Sequence, residues 1–126
     1  KNWSIPVGEL GWTRTWLLEE SGQARGDVCL VHRPAMKSYL HRCTLMIGIE
    51  RSHRSRGFGL SLMKLAMDWA REQPFLDWID LGVFANNPRA HQLYQKLGFT
   101  ETGRHEDYFR VHGQKITNIE MVLKLR

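Results

Sequence analysis

Basic residues run into two glycines directly before a helical pattern in ERSHRSRGFGLSLMKLAMDWA, residues 50–70. The first turn of a helix has N–H groups without intrahelical partners and carries partial positive charge. Gly57 and Gly59 would let a ligand come close to that backbone because they carry no side chain. The junction therefore predicts an anion site, and a phosphate group is the simplest occupant.

The elements around this junction follow from hydrophobic periodicity. HRCTLMIGIE (41–50) is typical of a strand, and its apolar run predicts burial on both faces. A helix is predicted from Gly59 to a point before Pro74, because apolar residues recur at the spacing of one helix face. The predicted inner face consists of Leu62, Leu65, Ala66, Trp69 and Ala70.

The rest of the chain alternates between strands and one further helix. TRTWLLEE and GDVCLVH are predicted to form a hairpin around SGQ, and DWIDLGVF is a further strand. NNPRAHQLYQKLGF predicts a second helix with Asn87 as N-cap, Pro88 in the first turn and Gly98 past the end. Residues 100–126 predict two strands joined around His112 and Gly113, the second with alternating apolar residues. The predicted inner face of the second helix consists of Ala90, Leu93, Tyr94 and Leu97.

Composition limits the class of protein. A chain of 126 residues without internal repeats or linkers predicts a single domain, residues 1–126. No stretch is apolar enough to span a membrane, and a membrane partner is not expected. Cys29 and Cys43 do not have the spacing of metal ligands, so we expect no metal site and two buried, reduced thiols. Reduced thiols in turn predict an intracellular, cytoplasmic location. The net charge of +5 is concentrated next to the glycines, and HRSRGFG lacks the interleaved aromatic residues of a nucleic-acid platform.

Two ordered signatures resemble the GNAT superfamily of N-acetyltransferases. RSRGFG, from Arg54 to Gly59, is similar to that family's Q/R-x-x-G-x-G/A loop. LGVFANNPRAHQLYQKLGF is similar to its second signature, in which L-x-V leads to Asn, Ala, LY and GF. A single G-x-G would be a weak signal, whereas two signatures in order are specific. The resemblance implies an α/β fold with a GNAT-like mixed, mostly antiparallel sheet and helices packed on its faces.

The resemblance also implies acetyl-CoA as cosubstrate and assigns its contacts. The pyrophosphate would lie on the glycine loop, and the pantetheine arm on backbone groups of a strand that splays from its neighbour. Asn87 would contact the cofactor, cap its helix, or do both. Tyr94 would protonate the departing thiolate, or would serve only core packing. The implied cofactor-binding residues are Ile47, Gly48, Ile49, Arg54, Ser55, Arg56, Gly57, Phe58, Gly59, Leu60 and Asn87.

The general base is not identified by the signatures. Many relatives carry a Glu on the strand before the loop or within L-x-V, where this chain has Cys43 and Gly82. The remaining candidates are Glu50, Asp80 and Glu120, although each is more typical of a solvated strand residue. Family members usually begin with a strand and two helices that are not recognised here, which implies an N-terminally truncated domain, a wall supplied by another chain, or an unusual member.

These observations predict transfer of an acetyl group from acetyl-CoA to a primary amine by direct attack. The predicted acceptor is an amine of a small molecule or of a protein. The sequence is also compatible with a homodimer. The alternative is a non-catalytic module that binds acyl-CoA, which the missing base and the missing N-terminal elements favour. A nucleic-acid-binding module is disfavoured.

Overall fold

The computed structural model describes residues 5–49 and 57–126. Six strands form one sheet: β1 (Thr13–Glu20), β2 (Gln23–Val31), β3 (Arg42–Ile49), β4 (Trp78–Phe84), β5 (Thr100–Val111) and β6 (Gln114–Lys124). Two α-helices, α1 (Phe58–Arg71) and α2 (Pro88–Lys96), and a short 3-10 helix (Lys37–Tyr39) complete the described elements. The predicted order of elements is confirmed.

The strand order in the sheet is β1-β2-β3-β4-β6-β5. Only β3 and β4 pair in parallel among the described strands, and the other pairs are antiparallel. The parallel pair needs a crossover, which α1 supplies. The predicted mixed, mostly antiparallel α/β sheet is therefore confirmed.

Both hairpins turn through two residues with positive φ. Ser21 and Gly22 have φ of 54° and 78°, and His112 and Gly113 have φ of 51° and 78°. Two consecutive left-handed residues match the twist of the flanking strands. This local geometry explains why both turns could be located from the sequence.

The hydrophobic core lies between one face of the sheet and both helices. The strands contribute alternate residues, because successive side chains of a strand point to opposite faces. Both helices pack on this face, since their buried residues belong to the same cluster. The strand residues of the core include Val28, Leu30, Cys43, Leu45, Ile79, Leu81, Val83, Ile119, Met121 and Leu123.

Two predictions about burial are wrong. Leu65 was expected on the inner face of α1 but is 53% exposed, whereas Met63 and Met67 are buried. β3 was expected to be buried on both faces, yet Met46 on the face opposite the core is 40% exposed. The apolar run of β3 is covered by α1 on one face, whereas on the other face Tyr39 of the short 3-10 helix contacts Arg42 and Met46 stays exposed. Cys29 and Cys43 are buried free thiols, as predicted.

Candidate functional site

The parallel strands β3 and β4 separate along their length. They pair at Arg42↔Trp78, Cys43↔Ile79 and Thr44↔Asp80, and no further pair joins them within the described residues. Both strands continue, and each keeps its outer partner: Gly26 pairs with Ile49, and Phe84 pairs with Asn118. The facing edges beyond Thr44 and Asp80 therefore form a gap in which backbone groups can bond to a ligand.

The predicted pantetheine contacts lie on one edge of this gap. Ile47 and Ile49 are partly buried against the core, and Gly48 between them is exposed on the opposite face. Gly26 on the neighbouring strand is needed for packing, since a Cβ there would lie 2.9 Å from the carbonyl oxygen of Gly48. A surface cavity of about 390 Å³ is formed by β1, β2 and β3, and its lining includes Leu17, Gly26 and Gly48.

The predicted anion site lies at the start of α1. Gly57 is the N-cap residue with φ of 82°, a conformation that glycine adopts without strain. The first intrahelical bond runs from the Ser61 N–H to the Gly57 carbonyl at 3.1 Å, so the N–H groups of the preceding turn lack intrahelical acceptors. A Cβ on Gly57 or Gly59 would meet nothing within 4 Å among the described residues. Phe58 and Leu60 complete this turn.

Part of the predicted loop lies outside the described residues. Arg54, Ser55 and Arg56 of the cofactor set belong to it, and so does Glu50 among the candidate bases. Their assignment stays a prediction from the sequence.

Asn87 caps α2 as predicted. Its Oδ1 accepts a hydrogen bond from the Ala90 N–H at 3.3 Å, and Pro88 follows in the first turn. Asn87 is exposed, so its side chain can be reached from solvent. The capping role is thus observed, and the cofactor contact stays a prediction.

Tyr94 lies on the buried face of α2. It is 8% exposed and its ring centroid lies 6.1 Å from that of Phe99. Desolvation raises the pKa of the phenol, because burial disfavours the anion. The hydroxyl therefore stays protonated at neutral pH, as a proton donor must. The packing role is observed; the acid role stays a prediction.

Asp80 is held in an ion pair on the sheet face opposite the core. It accepts a hydrogen bond from Arg42 Nε at 2.9 Å and a second from the same guanidinium, and Tyr39 donates at 3.4 Å. The guanidinium of Arg42 also lies 4.9 Å from the centroid of the Trp78 ring, in cation–π geometry. Asp80 is therefore neither a solvated strand residue nor an unpaired carboxylate, which argues against it as the base.

Glu120 lies on β6, so that β4 stands between it and the gap. It is paired with Gly82 across β4 and β6, and its Oε2 lies 3.4 Å from His105 Nδ1. The space of a side chain at Gly82 is taken by Asn118, since a Cβ on Gly82 would lie 2.6 Å from Asn118 Oδ1. At Gly82, where many relatives carry a Glu, the side chain of Asn118 on β6 therefore occupies the space.

A row of exposed aromatic rings on β4 and β5 was missed by the sequence analysis. Phe84 lies 4.9 Å from Phe109, Phe109 lies 4.9 Å from Tyr108, and Tyr108 stacks on His105 at 5.3 Å, measured between centroids. HEDYF (105–109) contains three of these rings, but a strand pattern does not show that a bulge brings them into one row. We call these four residues the aromatic row.

The described residues form neither a metal site nor a membrane-spanning helix. No three His, Cys, Asp or Glu side chains lie close enough there to hold a metal ion. No helix in the same part of the chain combines the length and apolarity needed to cross a membrane.

Comparison with known proteins gives a consistent result. The family model of the acetyltransferase (GNAT) family matches residues 5–99. The spermidine N(1)-acetyltransferase of Vibrio cholerae is 33% identical over 78 residues, which cover 61% of this chain and 45% of that protein. The N-alpha-acetyltransferase RimI of Mycobacterium tuberculosis is 33% identical over 67 residues, which cover 53% and 40% respectively. The chain matches less than half the length of these curated relatives.

A solved structure supports the same fold. The crystal structure of a GNAT-family acetyltransferase from Streptococcus pneumoniae superposes with a TM-score of 0.82 at 28% identity. The match covers 89% of this chain and 67% of that one.

Proposed function

This chain belongs to the GNAT acetyltransferase family, and on that premise we propose that it transfers an acetyl group from acetyl-CoA to a primary amine. Two observations carry the proposal: the gap between β3 and β4, and the glycine-capped start of α1, which is the next described element after β3. The gap offers backbone groups to a polar chain, and the helix start offers N–H groups to an anion. Acetyl-CoA combines both features in one molecule.

We assign the cofactor contacts accordingly. The pyrophosphate lies on the first turn of α1, from Gly57 to Leu60, where partial positive charge stabilises an anion. The pantetheine arm runs along Ile47, Gly48 and Ile49. Asn87 and the loop residues Arg54, Ser55 and Arg56 complete the set by their match to the family signatures. A backbone N–H at the gap polarises the thioester carbonyl.

The chemistry is direct attack. A neutral amine nitrogen adds to the carbonyl carbon of the thioester, and the tetrahedral intermediate collapses as the C–S bond breaks. Tyr94 donates its phenolic proton to the leaving thiolate. Burial raises the pKa of the phenol, so the group is protonated at neutral pH, which a proton donor requires.

A second candidate is an acyl-CoA-binding module without catalysis. It is favoured by Gly82 and Cys43, which place no carboxylate at the two strand positions where many relatives carry a Glu. The two functions share the cofactor contacts and differ only in turnover.

The test combines binding with turnover. Calorimetry should show that acetyl-CoA binds, and detection of free thiol should show release of CoA in the presence of primary amines. Binding without thiol release over amines of small molecules and of peptides would select the binding module. Absence of acetyl-CoA binding would refute both functions.

A further inference from the structure

The side-chain amide of Asn118 lies over β4, the strand that borders the gap. Asn118 belongs to β6, but its amide occupies the space over Gly82, and β4 has no pairing with β3 beyond Asp80 within the described residues. Half the spacing of neighbouring strands is about 2.4 Å, and a hydrogen bond spans about 2.9 Å. A ligand group that bonds to this amide can therefore lie at the gap.

The gap and the amide open to the same face of the sheet. Leu81 and Val83 belong to the core, so Gly82 and Phe84 point to the face opposite the helices. Asn118 lies on that face as well, because its amide lies over Gly82. Gly82 is exposed and Phe84 is 38% exposed. A second substrate can approach from this face, whereas the core closes the other.

The amide of Asn118 has unused hydrogen-bonding capacity in a place that is almost closed to water. The residue is only 7% exposed. Its side chain forms no hydrogen bond with any residue that the structure describes. Buried polar side chains are normally paired, because burial removes the hydrogen bonds to water that they would otherwise keep. The amide is therefore available to a ligand at the gap.

An asparagine amide complements a ligand that carries both a donor and an acceptor. Its Oδ1 accepts hydrogen bonds and its Nδ2 donates them. An α-amine and the carbonyl of the same residue offer the matching pair, since the amine N–H can bond to Oδ1 and the carbonyl oxygen to Nδ2. A plain alkyl amine lacks the carbonyl and would leave Nδ2 unpaired, because the lone pair of its nitrogen must face the thioester.

The aromatic row borders this amide. Phe84 and His105 are the cross-strand neighbours of Asn118 on β4 and β5. The ring of Phe109 lies 4.9 Å from that of Phe84, and Tyr108 beside it is 54% exposed. Exposed rings in a continuous row bind apolar groups. A ligand held at the amide can thus pack an apolar side chain on these rings.

The two strand positions without a carboxylate favour the same class of amine. Cys43 and Gly82 lie where many relatives carry a Glu. An α-amine has an ordinary pKa of ~7.7–8.0, so about a third of it is neutral at pH 7.5, whereas only ~0.1% of a lysine-like amine with a pKa of ~10.4 is neutral. An α-amine therefore depends much less on a base supplied by the protein.

Resting on the acetyltransferase function proposed above, we infer that the acceptor is the α-amine of an aminoacyl or peptidyl group with an apolar first side chain, and that Asn118 positions it. Oδ1 of Asn118 accepts a hydrogen bond from the α-amine, and Nδ2 donates one to the carbonyl oxygen of the same residue. The apolar side chain packs on the aromatic row. The lone pair of the nitrogen is thereby directed at the thioester in the gap.

The reaction needs no further reactant. The neutral α-amine forms a C–N bond with the thioester carbonyl carbon, the C–S bond breaks, and the thiolate takes a proton from Tyr94. The nitrogen releases one proton to water, and Tyr94 takes one back from water. The products are the N-acetylated aminoacyl group and CoA with a free thiol.

The first experiment compares two amines that differ by one carboxamide, phenylalaninamide and phenethylamine. Asn118→Leu keeps a branched side chain of similar size without polar atoms. It should lower kcat/KM at least tenfold more for phenylalaninamide than for phenethylamine, mainly through KM, with an unchanged Kd for acetyl-CoA. The different pKa values of the two amines affect both proteins equally, so they do not alter this comparison. Asn118→Ala should give the same result, and the unchanged Kd shows that both variants are folded.

Gln114→Leu is the matched control, because it removes an exposed amide near the start of the same strand. It should affect both amines equally and only slightly. An equal loss for both amines in Asn118→Leu, no loss at all, or the same selective loss in Gln114→Leu would overturn the inference and leave the acetyltransferase function intact. Absence of acetyl-CoA binding in the wild type would refute that function instead.

The second experiment measures binding without turnover. Phenylalaninamide, phenethylamine and glycinamide are titrated into isotopically labelled protein in the presence of CoA. Phenylalaninamide should shift the Asn118 side-chain amide and bind at least tenfold more tightly than phenethylamine. Phe109→Ala should weaken binding of phenylalaninamide but not of glycinamide. Equal binding of phenylalaninamide and phenethylamine, or an unchanged Asn118 amide signal, would overturn the inference even if the protein binds acetyl-CoA without catalysis.

Discussion

Asn118 on β6 occupies the space that a side chain on Gly82 of β4 would need. A Cβ on Gly82 would lie 2.6 Å from Asn118 Oδ1 and 3.3 Å from its Cγ. Asn118 is 7% exposed, so its amide has little room to move. The two residues therefore depend on each other, although they lie on different strands.

Gly82→Ala should lower the free energy of unfolding by about 1–3 kcal/mol, because the added methyl group overpacks a closed site. Asn118→Ala should remove most of that cost, so the two substitutions should be non-additive in a double-mutant cycle measured by urea unfolding. Gly103→Ala is the matched control, since a Cβ on this strand glycine would meet nothing within 4 Å among the described residues. Equal costs at Gly82 and Gly103 would contradict the close contact.

Gly57→Glu should weaken acetyl-CoA binding by at least tenfold. The new carboxylate would repel a pyrophosphate at the start of α1, and its side chain would cover the exposed N–H groups. Gly113→Glu is a matched control, because Gly113 has a similar φ of 78° and equally open surroundings at the β5–β6 turn. Calorimetry with both variants separates the effect of backbone strain from that of a carboxylate at the start of α1. A similar loss of acetyl-CoA affinity in both variants would contradict the phosphate site.

Tyr94→Phe should reduce turnover by about 100-fold and leave the Kd for acetyl-CoA nearly unchanged, because the ring that packs beside Phe99 remains. Burial raises the pKa of the phenol, so loss of activity through its ionisation should occur only above about pH 10. Tyr39→Phe removes a hydroxyl that bonds to Asp80 and should have little effect on turnover. Wild-type turnover in Tyr94→Phe, under conditions where chemistry is rate-limiting, would leave Tyr94 a packing residue only.

Asp80→Asn should lower the free energy of unfolding by about 1–3 kcal/mol, because it replaces charged hydrogen bonds to Arg42 by weaker ones. The side chains of Arg42 and Asp80 are each 21% exposed, so water screens the pair only in part. Asp107→Asn breaks a similar two-bond pair with Arg110 that lies on the surface, and it should change stability much less. Chemical unfolding of both variants measures the difference, and a loss at Asp107 as large as that at Asp80 would contradict the role of burial.

The residues at helix starts and turns were predictable, because the backbone conformation that they need depends only on neighbouring residues. Asn87 followed by Pro88 starts α2, as the sequence analysis expected, and α1 begins at Phe58, one residue before the predicted Gly59, with Gly57 in a left-handed conformation as its N-cap. Both features depend on the backbone of a few consecutive residues. The two family signatures identified the fold for a related reason, since they are short and continuous in the sequence.

Burial was predictable only in part. Leu65 fits the apolar spacing of α1, yet it is exposed while Met63 is fully buried. Spacing defines the relative angles of side chains around a helix, but the rotation of the helix against the sheet decides which side chains are covered. β3 shows the same limit, because its apolar run does not say whether a second layer covers its other face.

The sequence by itself determined the order of elements, the two turns, the helix starts and the family, since each depends on neighbouring residues. Only the tertiary structure decided that Asp80 is paired with Arg42, that Asn118 fills the space at Gly82, and that Glu120 lies 3.4 Å from His105 of the aromatic row. These relations depend on the register between β4 and β6 and on where β3 and β4 part. A one-residue change of register would turn every side chain of a strand to the other face, so contacts of this kind cannot be read from residue types along the chain.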